Sequence, residues 1–539
     1  MEKLEADVLI AGGGIAGITA AIELIENGKT VIIFDRDIKE NFGGLAKESF
    51  GGMFYVNSPQ QKRSRIKDSK ELAKKDWFSF AEFENENSWG ARWAEKFINS
   101  TEEVYQWVRS KKVSYFPVVH WVERGLFKPG NSVPRFHMVW GTGYGLITAL
   151  VNYLKNHKNH KLFQVYFEHK VNDIIIEDNK ATGFKVVDEK NNKEFNAYGK
   201  SIIIATGGIN GSMEKVRKYW HKEWGNPPEV ILNGSHKYAV GDLHEAAEKH
   251  GANITNLNKM WNYAAGIRHF RPKRENHGLS LVPPKSALWL NYKGERIGPL
   301  PLITAYDTRY LVTKICEQEK KYSWQILNKK IALKELAVSG SEFNDGIKEK
   351  KIIKFLSSLL LGNKEFYNEL VHHSEDFIVA YSIEELAKKM NALTGDNSID
   401  VNILRKSIEE YDQNILRGKK FHNDEQLRRI AHARQYRGDK VRTCKFQRIA
   451  DPKAMPLIAI REFIVSRKSL GGIQTDLQSR VLKKEDKTGK QQVIKNLYAV
   501  GEAAGFGGGG SHGLRALEGT FLGTCILTAK TAAKDILKK

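Results

Sequence analysis

Cysteine is scarce in this chain, three in 539 residues, and Cys316, Cys444 and Cys525 lie too far apart to form a CxxC or CxxCH pair. Covalent haem, zinc-ribbon and iron–sulfur readings fall away, and no metal site is expected. Long apolar runs are missing too. None approaches the roughly 20 residues of a membrane helix, the longest being short strand-like stretches such as Ile202 to Ala205. No transmembrane segment is expected. Arginine-rich tracts with interleaved aromatics are absent apart from the weak stretch Ile267 to Arg274, which argues against nucleic-acid binding. The first strand pattern begins at Ala6 and leaves no room before it for a signal or transit segment, so the cytoplasm is the expected compartment.

The composition is that of an ordinary soluble protein, 41% hydrophobic and 27% charged, and the length calls for two domains. The formal net charge of +22 is spread over many segments and mixed with acids, as in Glu317 to Lys321 and Lys348 to Lys354. Such a pattern reads as a solvated basic surface, with a polyanion-binding field as the alternative.

From Ala6 to Arg36 the pattern is strand, glycine-rich turn, helix, strand. Val8 to Ala11 is a short apolar run, Ile15 to Glu26 has helical spacing, Gly28 ends the helix, and Val31 to Phe34 is a second strand. Val165 to Phe167, Val171 to Glu177 and Ala181 to Val187 read as a small meander, and Ser201 to Ala205 as a return to a parallel sheet. Val240 to Gly251 reads as an amphipathic helix, and Leu288 to Leu290 with the turn through Arg296 as a hairpin. From about Ile297 to Val441 the chain becomes helical, lysine-rich and poor in glycine, the mark of a separate cap. Strand and glycine signals return after Ala459, ending in a helix from about Thr520. The expected fold is α/β: a Rossmann-like domain with a parallel sheet (residues 1–290 and 442–539), interrupted by a smaller α+β cap (291–441). The run Gly507 to Gly510 reads as backbone approached closely by a ligand rather than as a linker.

Gly12, Gly14 and Gly17 fit G-x-G-x-x-G directly after a strand and at a helix start, where the mechanism requires them. Gly12 permits the turn, Gly14 lets the pyrophosphate approach, and Gly17 lets the helix pack on the strand; with Ile15 and Ala16 they open the helix whose free N–H groups face the phosphates. Asp35, at the end of the second strand and followed by Arg36, is placed to accept from the adenosine ribose hydroxyl. Ala205, Thr206 and Gly207 after one apolar strand, and Gly501 and Glu502 after another, are segments of the kind that close such a sheet over FAD. Their order favours FAD over NAD.

On these motifs the chain resembles the flavoproteins of the fumarate reductase and succinate dehydrogenase superfamily, and within it the 3-ketosteroid dehydrogenase-like proteins. The likeness is carried by Gly43-Gly44 through Ser49-Phe50-Gly51-Gly52-Met53-Phe54, by Asn131 to His137 with Trp140 to Gly143, by Ser469 to Asp476, by Gly501 to Gly505, and by Ser511 to Thr520. It implies an FAD domain interrupted by a mobile cap, with substrate between the cap and the flavin. The cofactor set then also takes in Gly43, Gly44, Leu45, Ser49, Gly51, Gly52, Val171, Gly519, Thr520 and Leu522. Where succinate dehydrogenases attach flavin through histidine this chain has Leu45, so the FAD is expected to be noncovalent.

The resemblance places Lys468 near a substrate-binding histidine of fumarate reductases and Arg515 near their carboxylate-binding arginine. His512 is a candidate proton donor or flavin partner, and Tyr306 and Arg309 are candidates for a cap acid or base. Two cations beside the flavin stabilise enolate-like charge as hydride passes to or from N5. A helix starting at Gly519 and Thr520 favours an anionic reduced ring. The expected activity is dehydrogenation beside a ketone, as in a 3-ketosteroid, with hydride going to N5. The alternatives are a fumarate reductase-like or enone reductase, and a basic nucleic-acid-binding flavoprotein. The partners expected are a small steroid-like or unsaturated carbonyl substrate and an electron acceptor that the residues do not name.

Overall fold

A computed structural model describes residues 4–486 and 488–539. The chain divides into two compact units, one formed by the chain up to His221 with Ser235–Trp261 and Lys468–Lys539, the other by Lys222–Gly234 and Asn262–Arg467.

The first unit is built on β1 (Leu4–Ala11), α1 (Ile15–Glu26), β2 (Val31–Asp35), β3 (Phe163–Phe167), β4 (His169–Glu177), β5 (Lys180–Asp188), β6 (Lys193–Ile204), β7 (Arg480–Leu482), β8 (Val493–Ala499) and α2 (Thr520–Ile536). Strands β8, β6, β1, β2 and β3 lie side by side and parallel, with Leu497 beside Ile202, Ile202 beside Leu9, Leu9 beside Ile32, and Ile32 beside Gln164. Val8 to Ala11 and Ile202 to Ile204 are fully buried, as expected of a parallel sheet covered on both faces. The first half of β6 turns back along β5, which pairs antiparallel with β4, so the meander expected from Val165 to Val187 grows out of the sheet's edge. Helices α1 and α2 pack on each other, and α2 packs on helix Trp89–Ser110. Trp77, Trp93 and Phe97 fill that core, and Phe97 lies where Gly523 of α2 has no β-carbon.

Buried charge in this unit is paired. Arg135, wholly inaccessible, holds Asp68 at 2.8 Å and Asp76 at 2.6 Å, and Asp76 also accepts from the N–H and hydroxyl of Ser132. The Asn131-to-His137 motif is thus a structural clamp, because a buried ion losing one partner costs about 3–5 kcal/mol.

The glycine run Gly507–Gly510 is packed closely, but by protein. β-Carbons added there would meet the Trp93 ring, the Trp89 backbone, the Thr255 hydroxyl and the Asn256 amide at 2.1 to 2.7 Å.

The second unit centres on a sheet in the order Leu288–Leu290, Ser323–Asn328, Leu457–Ser469, Met260–Arg268, Gly278–Val282, Ala337–Val338. Its span is wider than the 291–441 expected of the cap. Ile231–Asn233 pairs with the distant strand Leu457–Ser469, and helix signals alone could not show that pairing. Ser323–Asn328 and Phe377–Ala380 are strands inside the stretch that reads as helical. All six residues of the first are buried, which removes the alternation that marks a half-buried strand. Leu288–Leu290 pairs with this strand and touches its own expected hairpin partner only at the Leu290–Arg296 bridge.

Three histidines lie wholly inside the first unit. His137 donates from Nδ1 to the Arg135 carbonyl and accepts at Nε2 from Ser58, and burial pushes its pKa down to about 4. Burial likewise takes His244 down to about 4 and His512 down to about 3. Each is neutral in the fold yet binds a proton when unfolded below about pH 6.5. The unfolded chain therefore binds more protons between about pH 6.5 and each folded value, and stability falls as the pH drops through that window. The unfolding free energy should fall from pH 7 to pH 5, by up to about 1.4 kcal/mol per pH unit for each histidine, and the thermal midpoint with it. Calorimetry of the holoprotein across that range checks it, and a flat profile contradicts the assignment.

Candidate active site

The three motif segments meet at the carboxyl ends of adjacent parallel strands, where open α/β sheets bind ligands. The N–H of Gly12 donates to Phe34, that of Ala205 to Ala11, and that of Val500 to Ile204, at 2.8 to 2.9 Å. Gly12 has φ +101°, and a β-carbon there would sit 2.5 Å from the Ala205 carbonyl oxygen. At Gly17 it would sit 2.1 Å from the Gly12 carbonyl oxygen, so only glycine lets α1 begin this close to the turn. At Gly14 it would meet no atom within 4 Å: the turn opens there, at the N-cap of a helix that has no side-chain cap among the described residues. The first-turn N–H groups, around Ile15 and Ala16, form a natural anion site.

Asp35 closes the other side. Its Oδ2 accepts from the N–H of Gly13 at 2.7 Å and its Oδ1 from the N–H of Asp37 at 2.8 Å. Burial nevertheless pushes its carboxyl pKa up. Gly13 is a residue that the motif reading passes over; a β-carbon there would strike Asp35 at 2.3 Å. Its signal was the middle place in three consecutive glycines, Gly12 to Gly14. Asp37 was also missed. Although burial opposes it, hydrogen bonds from His236, Ile38, Asn41 and Lys237 hold its carboxyl well below the usual range. Arg36 ion-pairs with Glu189 at 2.8 Å and lies over the Tyr238 ring.

Gly43 hydrogen-bonds the Gly13 carbonyl and has φ +110°, which lays Gly43 and Gly44 beside the turn. Leu45, half-buried, follows in the short helix Gly44–Glu48. Ser49 accepts from the N–H of Gly143, and Gly51 and Gly52 pass so close to Thr142 and Phe136 that side chains would clash. Val171 is buried in β4 opposite Val186. Thr206 carries a buried hydroxyl with no hydrogen-bond partner among the described residues, followed by Gly207 at φ +77°. Gly501 lies against Ala16 of α1 and donates to Thr528. The Glu502 carboxylate accepts from the N–H of Ser469 at 2.9 Å, and Gly208 leaves room for it. An uncapped helix start, an open Gly14 and an orphaned Thr206 hydroxyl on one strand-end rim fit a dinucleotide.

The structure also brings Lys468, His512, Thr520 and Phe521 together. Lys468 Nζ lies 4.0 Å above the Phe521 ring, and Phe521 packs on His512 at 4.9 Å. His512 is stacked on Trp77, and its Nε2 donates to the Thr520 hydroxyl at 2.8 Å, which itself donates to Leu517. Thr520 and Leu522 open α2, whose N-cap Gly519 has φ +95° and no side-chain cap. Arg515 pairs with Glu82, while Glu518, its near neighbour in sequence, accepts from Trp261. Tyr306 and Arg309 belong to the second unit. Tyr306 donates to the Arg429 carbonyl, and the buried Arg309 lies over Trp224 with Glu223 3.7 Å away. Burial lowers the Arg309 pKa, and its Nη1 has no hydrogen-bond partner among the described residues.

The FAD binding domain family matches residues 7–522. The chain belongs to this family. This FAD-binding protein is 38% identical to the KsdD-like steroid dehydrogenase of Mycobacterium tuberculosis (strain CDC 1551 / Oshkosh), over 99% of this chain and 96% of the relative. It is 22% identical to fumarate reductase 1 of Saccharomyces cerevisiae, over 98% of both chains. Among solved structures it matches 3-ketosteroid delta1-dehydrogenase from Sterolibacterium denitrificans with TM-score 0.71 and 15% identity, over 99% of both chains. It matches an open flavocytochrome c3 fumarate reductase with TM-score 0.68 and 19% identity, over 99% of this chain and 78% of the other. The expected superfamily and fold hold, and the protein is an FAD-dependent dehydrogenase or reductase. No helix among the described residues is long and apolar enough to cross a membrane.

Gly14→Val places a branched side chain where the turn opens. The variant should fold, with an unchanged far-ultraviolet spectrum, yet purify without flavin absorbance. Full flavin content in it contradicts the site.

Proposed function

We propose that this enzyme introduces a C=C bond beside the ketone of a 3-ketosteroid-like molecule, in the cytoplasm, with noncovalently held FAD. The observation that carries the reading is full-length similarity to a KsdD-like steroid dehydrogenase at 38% identity. Bound FAD supplies the hydride acceptor. The chain's own part is to polarise the ketone, move a proton and exclude water.

Lys468 is the cation proposed to polarise the ketone oxygen; its ammonium lies over the Phe521 ring near the start of α2. A preorganised cation stabilises enolate charge as it develops. His512, neutral above about pH 3, serves as a positioning residue for Thr520 at the start of α2 rather than as a proton donor. Tyr306 and Arg309 are the proposed proton-moving groups of the second unit. In the FAD site, Gly12 to Gly17 take the pyrophosphate, Asp35 a ribose hydroxyl, and Thr206 and Glu502 hydroxyls further along the cofactor.

The second reading is reduction of an enone, which Lys468 supports equally. Its dicarboxylate version is disfavoured because Glu82 already neutralises Arg515, the candidate carboxylate clamp, and would repel a second carboxylate.

Anaerobic mixing with a 3-ketosteroid should bleach the oxidised flavin band, and fumarate should fail to reoxidise the reduced enzyme. Lys468→Met should slow bleaching by roughly 100-fold at unchanged flavin content. Reoxidation by fumarate, with no bleaching by 3-ketosteroids, contradicts the proposal.

A further inference from the structure

In the second unit the ten-residue helix Ile352–Leu361 has no buried residue. Its sequence is almost wholly apolar, IIKFLSSLLL, yet Ile353 is 81% exposed, Leu360 78%, Leu361 68%, Ile352 52% and Leu356 45%. Ile352, Leu356 and Leu360 are spaced four apart and Ile353 lies beside them, so they form one outward stripe. Phe355 and Leu359 turn the other way and are half-buried, and the Phe355 backbone passes where Gly346 has no β-carbon. The helix rests on Asp345–Lys348 and Lys329–Glu335. A stripe of this kind is too long to be a scatter of single exposed side chains, and monomeric surfaces seldom keep one bare.

Its surroundings are basic. Residues 348–354 hold four lysines against one glutamate, and the supporting helix Lys329–Glu335 adds exposed Lys329, Lys330 and Lys334. Several of these lysines have acidic neighbours: Lys351 pairs with Glu349 at 2.5 Å, and Lys354 with Glu365 at 2.8 Å and Asp345 at 3.6 Å. The net field of the patch is still positive, and so is that of the whole chain at +22. With ten residues, about 15 Å long, the helix cannot span a bilayer but can lie in its surface.

We propose that helix Ile352–Leu361 is an interfacial anchor that inserts its apolar stripe into an anionic phospholipid bilayer, with the flanking lysines on the headgroups. Apolar burial and attraction to anionic lipid add in such helices, each lysine near the surface contributing about fivefold. A second copy of the chain fits the patch less well. A two-fold contact sets each patch against its own copy and brings like-charged lysines together. The inference does not depend on the substrate.

The test is co-sedimentation of the full-length holoprotein with vesicles of phosphatidylcholine alone or mixed with phosphatidylglycerol, at low and high salt. Light scattering then gives the oligomeric state. The protein should pellet with the phosphatidylglycerol vesicles at low salt, weakly with phosphatidylcholine alone, and less as salt rises. The Ile353→Asp/Leu360→Asp variant, changed only at exposed positions, should keep its flavin and lose at least about tenfold in binding. Lys350→Gln with Lys351→Gln should weaken binding to the anionic vesicles and leave phosphatidylcholine binding unchanged. Three outcomes overturn the proposal: no pelleting with anionic vesicles at low salt, equal pelleting of the aspartate variant, or a variant that only turns a dimer into a monomer.

Discussion

At Gly17 a β-carbon would lie 2.1 Å from the carbonyl oxygen of Gly12, and the absence of that carbon lets α1 start directly on top of the turn that ends β1. Every other part of the cofactor rim is referenced to this contact. Gly43 hydrogen-bonds the same turn, Ala205 caps the end of β1, and Gly501 rests on Ala16 of α1. Asp35 reaches across to the N–H of Gly13 and fixes the far side. Each approach uses a position at which a side chain would collide, so the site is held by backbone, which is rigid and costs little to preorganise.

Charge is then laid onto this frame with care for burial. Asp37, Arg135 and Glu502 lie inside the unit and each is engaged by a charged group or a backbone donor. His512 is kept neutral instead, wedged between Trp77 and Phe521, and its proton is committed to Thr520. Lys468 lies over Phe521, beside the start of α2. Arg515 is spent on Glu82. This division of the two cations separates a ketone substrate from a dicarboxylate in the reading advanced above.

Much of the frame was legible in the sequence because it is local. The glycine turn, α1, β2 and Asp35 fall within about thirty residues and carry strong period and turn signals. What escaped is non-local. The pairing of Arg515 with Glu82 spans 433 positions, and the strand Ile231–Asn233 joins Leu457–Ser469 from the far side of the chain. Gly507–Gly510 reads as backbone approached by a ligand, but the groups found against it, Trp89, Trp93, Thr255 and Asn256, are protein and come from segments no motif connects. The apolar run Ile352–Leu361 reads as cap helix; that its stripe faces outward depends on how the neighbouring helices fold beneath it.

The claim on which the account rests is that one FAD lies along the strand-end rim from Asp35 past Gly14 towards α2. A crystal structure of the holoprotein tests it most directly. The account predicts the pyrophosphate on the N–H groups that open α1, a ribose hydroxyl at Asp35, the Thr206 hydroxyl engaged by the cofactor, and no covalent link at Leu45. A pyrophosphate bound elsewhere, or a flavin bonded to the chain, contradicts it.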